Sequence, residues 1–353
     1  MKLNETINRT KRPFLIAGPC SVETEEQIHT VIRDLSRNPE VSMIRAGIWK
    51  PRTRPGFFEG IGAAGLYWLE EARTSYKLPI AIEVATPKHI ELALKHSIDA
   101  FWIGARTTAN PFAMQDIADA LRGVNVPVMV KNPVNPDIAL WLGAFERLMN
   151  AGVEDLIAVH RGFSSHTPSK YRNSPNWELP IELRNQLPQI PMICDPSHIT
   201  GNRQLLAEVS QKAMDLSFDG LMIETHPTPD KAWSDAAQQV TPDMLKVIME
   251  NLILHPAEHT HNMADELADL RFKLSSLDER LFELLSERMK INEKLEAFKR
   301  TNNVDIAKED YWEKTMEHSG LSKEFVHTIL NYIRQESSRF ESGRSNEHWM
   351  PVP

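Results

Sequence analysis

Short apolar segments alternate with longer amphipathic segments over the first 254 residues of the chain. There are eight apolar segments, and each is bounded by turn residues and rich in Ile, Val, Leu or Met. This pattern is typical of parallel strands that are buried on both faces. The predicted strands are Phe14–Ala17, Val41–Ile44, Pro79–Val84, Ala100–Ile103, Val126–Val130, Asp155–Val159, Ile190–Cys194 and Gly220–Ile223.

The stretches between these segments carry apolar residues at helical spacing. Eight alternating strand–helix units within ~250 residues predict an α/β fold, the (β/α)8 TIM barrel. A doubly wound open sheet is the alternative, but the number of units and the lack of a Gly-x-Gly-x-x-Gly turn after the first strand favour the barrel. The predicted helices include Glu25–Arg37, Gly60–Tyr76, Lys88–His96, Asn135–Asn150, Asn202–Met214 and Pro242–Leu254.

The composition of the chain changes after residue 254. Residues 255–262 are polar, with three histidines, and we interpret them as a solvated linker, because no cysteine or paired carboxylate lies nearby to complete a metal site. We therefore predict a barrel domain of residues 1–254, a linker of residues 255–263, and a helical domain of residues 264–353.

The helical domain begins with a long segment, Met263 to Arg300, that contains neither Pro nor Gly. Its apolar residues recur in alternating steps of three and four, which predicts one long helix with a heptad seam. Two shorter helices are predicted at about 307–318 and 322–341. Because two short helices cannot cover so long a seam, we expect a homodimer through this domain. The seam residues are Leu267, Leu270, Leu274, Leu277, Leu281, Leu284, Ile291, Leu295 and Phe298.

Charge and cysteine content narrow the class of protein. The formal net charge is −8, which argues against nucleic acid as the partner, and no apolar run approaches the ~20 residues of a membrane span. Two cysteines cannot build a disulfide framework, and the N-terminus lacks the apolar core of a signal peptide. We therefore expect a soluble protein of the reducing cytoplasm.

The carboxyl ends of the strands are where a (β/α)8 barrel carries its chemistry, and here they carry many cations. Cations that converge on one rim repel each other unless anions neutralise them. The pattern therefore predicts one or two substrates with more than one phosphate or carboxylate group. The residues are Arg45, Lys50, Arg52, Arg106, Lys131 and Arg161.

Four further residues at the strand ends, Cys20, His198, Glu224 and Asp235, offer sulfur, nitrogen and oxygen ligands. Such a mixture suits a divalent transition metal and leaves a coordination position open for water or a carbonyl oxygen. Taken one at a time, the same residues read as a core thiol, a capping histidine and rim carboxylates, and the residues alone leave that alternative open.

The motifs that surround these positions resemble a known family. They are Ala17-Gly-Pro-Cys-Ser-Val-Glu23, Lys50-Pro-Arg-Thr53, Glu83-Val-Ala-Thr-Pro87, Gly104-Ala-Arg106, His160-Arg-Gly162, Asp195-Pro-Ser-His198 and Ile223-Glu224. Together they resemble the 3-deoxy-D-arabino-heptulosonate 7-phosphate (DAHP) synthases, in the short form without an N-terminal regulatory extension. The resemblance covers about residues 10–254 and implies condensation of phosphoenolpyruvate with erythrose 4-phosphate, the first step of the shikimate pathway.

The resemblance also implies roles for individual residues. Cys20, His198, Glu224 and Asp235 would hold the divalent metal, with Mn2+ foremost and Fe2+, Co2+ and Zn2+ as alternatives. Phosphoenolpyruvate would be held by Arg45, Lys50, Ala105, Arg106, Lys131 and Arg161. Erythrose 4-phosphate would meet Arg52 and Thr53. Lys131 is the candidate proton donor, and Glu83 the candidate for orienting the attacking water.

A related family on the same fold condenses phosphoenolpyruvate with arabinose 5-phosphate. These 3-deoxy-manno-octulosonate 8-phosphate synthases typically have Lys-Ala-Asn-Arg where this chain has Lys50-Pro51-Arg52-Thr53. The loop therefore favours the four-carbon aldose, and the octulosonate reaction is kept as the alternative.

The helical domain places a cation, Arg288, in its apolar seam between Leu284 and Ile291. A buried cation is costly unless it is paired, so it either sets the register of a helical dimer or binds an anion. Further polar residues near the seam and on the later helices favour a small dianion as the ligand. They are Arg271, Lys299, Lys308, Glu309, Ser337 and Glu341.

The segment Leu270–Leu281, together with Arg288, Lys299 and Val304–Glu309, resembles the all-helical chorismate mutase family. The resemblance implies that chorismate rearranges to prephenate in this domain. Arg271, Arg288 and Lys308 would hold the two carboxylates, with Ser337 also at the substrate. Asp305 and Glu309 would support the hydroxyl side, and Lys299 and Glu341 the ether oxygen.

Two residues of this domain depart from the mutase pattern. Lys308 stands where the family often has Arg, and Glu341 stands where many members have Gln. Glu341 must carry a proton to donate a hydrogen bond, so we expect mutase activity that falls as the pH rises. The alternative is a non-catalytic dimerisation or sensing module, and in either case bound chorismate or prephenate is expected to give allosteric feedback on the barrel.

Overall fold

The computed structural model describes residues 2–9, 13–51, 56–165, 169–254, 263–302 and 321–341. The chain divides into two compact units, Met1–Glu258 and His259–Pro353. Each unit is described by itself below.

The first unit is built on eight parallel strands that close into a barrel in the order of the sequence. The strand that closes it, the eighth, pairs with the first in register from Phe14 opposite Gly220 to Gly18 opposite Glu224. The observed strands agree with the predicted ones to within two residues at either end, so the predicted (β/α)8 barrel is confirmed. They are β1 Phe14–Gly18, β2 Val41–Arg45, β3 Ile80–Val84, β4 Ala100–Ile103, β5 Val128–Lys131, β6 Leu156–His160, β7 Met192–Cys194 and β8 Gly220–Glu224.

Several helices of this unit begin after residues that suit a helix N-terminus. Side chains of Thr24, Thr86, Asn110, Asp137 and Thr241 each accept a hydrogen bond from a backbone N–H of the first turn, which satisfies groups that the helix itself leaves unpaired. The helices are α1 Leu3–Arg9, α2 Glu25–Ser36, α3 Ala64–Tyr76, α4 Pro87–Lys95, α5 Ala105–Thr108, α6 Pro111–Ala120, α7 Ile138–Asn150, α8 Glu178–Gln186, α9 Pro196–Thr200, α10 Leu206–Asp215 and α11 Pro242–Glu250.

The short helix α1, which the sequence pattern does not single out, closes the amino-terminal end of the barrel. Leu3 and Ile7 are buried in one cluster with Phe14, at the start of β1, and other interior residues. The carboxylate of Asp155 accepts hydrogen bonds from the backbone N–H groups of Leu3 and Asn4 at the start of the helix. Burial of two such side chains is worth ~1.5–3 kcal/mol each, and it leaves the carboxyl ends of the strands as the open end.

The second unit contains the helices α12 Met263–Asn302 and α13 Lys323–Glu341, which pack against each other. The predicted long helix is confirmed, and its seam stays exposed in the single chain, with Leu274 62% and Ile291 60% accessible. Residues 255–262 of the predicted linker and the predicted helix at 307–318 lie outside the described residues, and Met263, placed last in that linker, is instead the first residue of α12. No helix in the described ranges is long and apolar enough to span a membrane.

Candidate active site

A buried cluster of opposite charges occupies the carboxyl ends of β2, β7 and β8. Arg45, the last residue of β2, places Nη2 2.9 Å from Oε1 of Glu224 and Nη1 3.8 Å from Oδ2 of Asp195. All three side chains are at most 2% exposed. Burial opposes the charge of the guanidinium, but Glu224 and Asp195 outweigh it and hold the pKa of Arg45 above its ordinary value.

Lys131 ends β5 inside the same cluster. Its Nζ atom lies 2.7 Å from Oδ2 of Asp195 and 5.7 Å from the ring centre of Trp102, whose face also meets the guanidinium of Arg45. Burial, assisted by the charge of Arg45 and opposed by Asp195, lowers the pKa of Lys131. An amine with a lowered pKa releases its proton more readily than a solvated lysine does.

The four predicted metal ligands come together in pairs at the open end of the barrel. Sγ of Cys20 lies 3.2 Å from Oδ2 of Asp235, and Nε2 of His198 lies 3.7 Å from Oε1 of Glu224. Nδ1 of His198 is held 2.8 Å from Oδ2 of Asp195, so Nε2 is the nitrogen directed to the other donors. A carboxylate behind a ligating imidazole is the usual outer contact of a metal-binding histidine.

A cation of the chain itself lies among these donors. Nζ of Lys50 is 2.5 Å from Sγ of Cys20, 3.4 Å from Oδ2 of Asp235 and 3.2 Å from Oγ of Ser234. Burial, together with the charge of Glu224, raises the pKa of Cys20 to about 12, although Lys50 opposes that change. The position therefore favours positive charge, and the sulfur, nitrogen and carboxylate donors fit a divalent transition metal, which would itself convert the thiol to a thiolate.

Asp235 reaches this position through an unusual backbone conformation. It has φ 49° and ψ 40°, in the left-handed region that Asp tolerates better than most residues. Nη1 of Arg172 lies 2.9 Å from Oδ1 of Asp235 and also donates to Oε1 of Gln238. Burial opposes the negative charge, but Lys50 and Arg172 hold the pKa of Asp235 well below its ordinary value.

The predicted cations on the far side of the rim also converge. Burial, with the guanidinium groups of Arg172 and Arg106, lowers the pKa of Arg161 to about 10, which still leaves it charged at neutral pH. Its Nη1 donates to Oδ1 of Asn173 at 2.9 Å. Ala105 and Arg106 open α5, directly after β4. This accumulation of positive charge fits a substrate that brings phosphate or carboxylate groups.

Glu83 lies at the end of β3 beside the cluster. Its Oε2 accepts a hydrogen bond from Nε1 of Trp102 at 3.0 Å. A Cβ atom at Gly104 would lie 2.2 Å from Oε1 of Glu83, so the glycine of the Gly104-Ala-Arg106 motif leaves room for this carboxylate. The structure thus brings Glu83 to the same rim as Lys131, through the shared contact with Trp102.

Some of the remaining predicted residues lie within the described ranges and others do not. Arg52 and Thr53 lie outside the described residues, as do Asp305, Lys308 and Glu309. In the second unit Nη1 of Arg288 lies 3.3 Å from Oγ of Ser337, which is buried between α12 and α13. Arg271 and Lys299 belong to α12 and Glu341 to α13.

Sequence reasoning assigned no role to Asp195, Arg172 or Trp102. Asp195 contacts two cations, Arg45 and Lys131, and the imidazole of His198. A sequence signal for it existed, because a carboxylate directly after a buried strand and three residues before His198 faces the same rim. Arg172 lies in a loop more than ten residues after the end of β6, and Trp102 looks like an ordinary core residue of β4. The local sequence around either residue therefore does not indicate a role in the site.

Comparison with known proteins identifies the barrel. Residues 3–260 match the DAHP synthetase I family. The phospho-2-dehydro-3-deoxyheptonate aldolase of Thermotoga maritima is 30% identical over 238 residues, which cover 67% of this chain and 68% of that protein. The crystal structure of phospho-2-dehydro-3-deoxyheptonate aldolase (DAHP synthase) from Thermotoga maritima has a TM-score of 0.60 at 30% identity and covers 67% of each chain.

A second group of relatives is more distant. The 2-dehydro-3-deoxyphosphooctonate aldolase of Nitratidesulfovibrio vulgaris is 26% identical over 268 residues, which cover 68% of this chain and 91% of that protein. The family match spans well over half of the chain, and it ends close to the boundary between the two compact units at residues 258 and 259. The chain therefore belongs to the DAHP synthetase I family.

Proposed function

We propose that the barrel unit condenses phosphoenolpyruvate with erythrose 4-phosphate to give DAHP and inorganic phosphate. One observation carries this proposal: in a chain of this family, a rim of buried cations adjoins a thiol, an imidazole and two carboxylates. The cations match two phosphorylated substrates, and the mixed donors match a divalent metal.

The anionic groups of phosphoenolpyruvate would bind among the cations on one side of this rim. Arg45, Lys50, Lys131 and Arg161 provide positive charge, and Ala105 and Arg106 open a short helix directly after a strand end. Erythrose 4-phosphate would bind through Arg52 and Thr53. Neutralising these cations with substrate anions removes their mutual repulsion, so binding is favoured by charge that the fold has already brought together.

The bound metal, held by Cys20, His198, Glu224 and Asp235, would polarise the aldehyde carbonyl as a Lewis acid; Mn2+ is the first choice, with Fe2+, Co2+ and Zn2+ as alternatives. C3 of the enol phosphate attacks the aldehyde carbon, and positive charge develops at C2. Nζ of Lys131 supplies a proton to the former aldehyde oxygen. Glu83 orients the water that adds at C2 before phosphate departs.

The octulosonate reaction is the alternative for the same site, supported by the more distant relatives. The Pro51-Arg52-Thr53 sequence after Lys50 favours the shorter sugar. The test is release of inorganic phosphate from phosphoenolpyruvate with erythrose 4-phosphate or with arabinose 5-phosphate, each with and without a chelator. We expect release with the four-carbon sugar, its loss with the chelator, and its return with Mn2+. Faster release with arabinose 5-phosphate, or no effect of the chelator, would contradict the proposal.

For the helical unit we propose rearrangement of chorismate to prephenate. The pairing of Arg288 with the buried Ser337 supports this function, because a pure dimerisation helix has no need of a cation at that position. The unit would bind the compact conformer of chorismate and stabilise the charge on the ether oxygen. It would act as a homodimer, with the exposed seam of α12 as the contact between copies.

The full chain tests this second proposal with chorismate as the substrate. We expect prephenate to form, and its rate to fall between about pH 5 and pH 8 because Glu341 must carry a proton. We also expect prephenate or chorismate to inhibit phosphate release by the barrel. Absence of prephenate formation would leave the helical unit as a sensing or dimerisation module.

A further inference from the structure

A group of three metal-ligating side chains lies on the outer helices of the barrel, away from the active site. Glu25 and His29 belong to α2 and Glu71 to α3, and one donor atom of each lies within 4.8 Å of the other two. Glu25 and His29 are four residues apart, which places them on one face of their helix, a single turn apart. Since α2 packs against α3, Glu71 meets them from the neighbouring helix.

The imidazole in this group has a feature that the two carboxylates lack. Nε2 of His29 is shielded from solvent, and it has no hydrogen-bond partner in the described part of the chain. Buried polar atoms are nearly always paired, so this ring, which also brings a nitrogen within 4.8 Å of both carboxylates, has the capacity to bind a ligand from outside the protein. The ring also packs edge-on against Tyr76, with centroids 6.0 Å apart, which limits its freedom to turn away.

The neighbouring residues show what an ordinary surface pair looks like on the same helix. Glu70, directly before Glu71, lies 2.8 Å from Nδ1 of His96 and forms a simple one-to-one pair. Glu25 and Glu71 form no ion pair with the lysines and arginines that the structure describes. Two like charges and an imidazole are thus held close together, and no described lysine or arginine forms an ion pair with either carboxylate.

We propose that Glu25, His29 and Glu71 bind a second divalent transition metal, such as Zn2+, that links α2 to α3. One imidazole with two carboxylates suits Zn2+ or Co2+, whereas Ca2+ and Mg2+ prefer oxygen ligands alone. Tetrahedral ligands at ~2.1 Å are about 3.4 Å apart, and the two exposed glutamates reach that separation by changing rotamer.

The location gives this ion a structural consequence. Helix α2 follows the loop that carries Cys20, and α3 follows the loop that carries Lys50, so the ion fastens together the two helices behind these loops. A ligand that binds only the folded state stabilises it by mass action. The ion therefore holds the first two strand–helix units in place without taking part in the reaction.

Titration of the full-length protein with Co2+ tests the proposal, because the two sites differ in their ligands. A cobalt ion on Cys20 gives a thiolate charge-transfer band, whereas a cobalt ion on Glu25, His29 and Glu71 does not. We expect His29→Gln to bind one equivalent of Co2+ fewer than the wild-type protein with the thiolate band unchanged. His96→Gln, the same substitution on the same outer surface, is expected to bind as much Co2+ as the wild type.

Glu71→Gln provides a second variant if His29→Gln fails to fold, and it should also lose one equivalent. Equal stoichiometry in the wild type and in a folded His29→Gln or Glu71→Gln protein would overturn the proposal. Loss of the thiolate band in either variant would also overturn it, because the missing ion would then be the one at Cys20.

Discussion

Lys131 and Asp195 form an ion pair inside the barrel, with Nζ 2.7 Å from Oδ2 and neither side chain more than 6% exposed. The same carboxylate lies 2.8 Å from Nδ1 of His198, so one buried anion positions both the proposed proton donor and a proposed metal ligand. Burial opposes its charge, but His198, Lys131 and Arg45 hold the pKa of Asp195 well below its ordinary value.

Replacing this carboxylate tests its positioning role. Asp195→Asn should lower kcat for phosphate release by about 100-fold, because an amide cannot neutralise Lys131 while holding His198. Loss of a buried partner should also reduce the free energy of unfolding by ~3–5 kcal/mol. Asp99→Asn, which disrupts the pair with Arg73 on the outer surface, is the control and should reduce stability with kcat unchanged. Wild-type kcat in Asp195→Asn would show that the ion pair is merely structural.

Removal of the amine at residue 131 tests the proposed proton donor. Lys131→Met keeps the length of the side chain but has no proton to donate, so turnover should fall by more than about 1000-fold. Metal affinity, measured by equilibrium dialysis, should stay as in the wild type. Phosphate release above about a tenth of the wild-type rate would rule out this role for Lys131.

The two cysteines of the chain allow a matched test of the metal site. Cys20→Ser should weaken metal binding and reduce phosphate release while leaving chorismate rearrangement unchanged, because a hydroxyl is a poorer ligand than a thiolate for a borderline metal ion. Cys194, also buried, ends β7 and is not one of the four proposed metal ligands. Cys194→Ser therefore replaces the same sulfur by oxygen away from the metal. Cys194→Ser should therefore keep the metal affinity of the wild type, and an equal loss in both variants would argue against ligation by Cys20.

The buried imidazole of His160 should make the stability of the barrel depend on pH. Its ring packs against Phe163, Trp177 and Phe218, and burial, with the nearby charge of Arg161, lowers the pKa of His160 to about 3. Between that value and the unfolded pKa of ~6.5, only the unfolded state binds the proton, so stability falls as the pH drops. The loss is about 1.4 kcal/mol per pH unit, or about 2 kcal/mol from pH 6.5 to pH 5.

Denaturant unfolding at pH 7 and pH 5 measures this contribution. The difference in unfolding free energy between the two pH values should be about 2 kcal/mol smaller in His160→Phe than in the wild type, because Phe does not titrate. The comparison uses differences within each protein, so a change in packing from the substitution cancels. An identical pH dependence in the two proteins would mean that His160 is not the group responsible.

Arg288 gives the prediction for the helical unit. Arg288→Ala should reduce kcat/KM for chorismate by about 10- to 150-fold, because a charged hydrogen bond to a carboxylate contributes ~1.5–3 kcal/mol. Phosphate release should be unaffected. Arg280, exposed on the same helix, provides the control, and Arg280→Ala should retain both activities. Loss of rearrangement in both variants alike would point to a general defect of the helix.

Much of the fold was predictable because buried strands and helices carry recognisable local patterns of apolar residues. The run Phe14–Ala17 is apolar on both faces because β1 lies between the barrel interior and the surrounding helices, and the other strands follow the same rule. The long helix α12 was predictable from the spacing of its leucines. Helix α1 was not, because Leu3 and Ile7 are buried only through contact with the end of the barrel.

The pattern of apolar and polar residues alone predicts each strand, the order of the strands along the chain, and the residues at the strand ends. Cys20, Arg45 and Glu224 could be named for this reason, since each position depends on local pattern alone. Which of these residues contact each other depends on how the barrel closes in three dimensions. Barrel closure sets Gly18 opposite Glu224, and the contacts of Asp195, Lys50 and Arg172 depend on register between segments far apart in the chain, which periodicity does not encode.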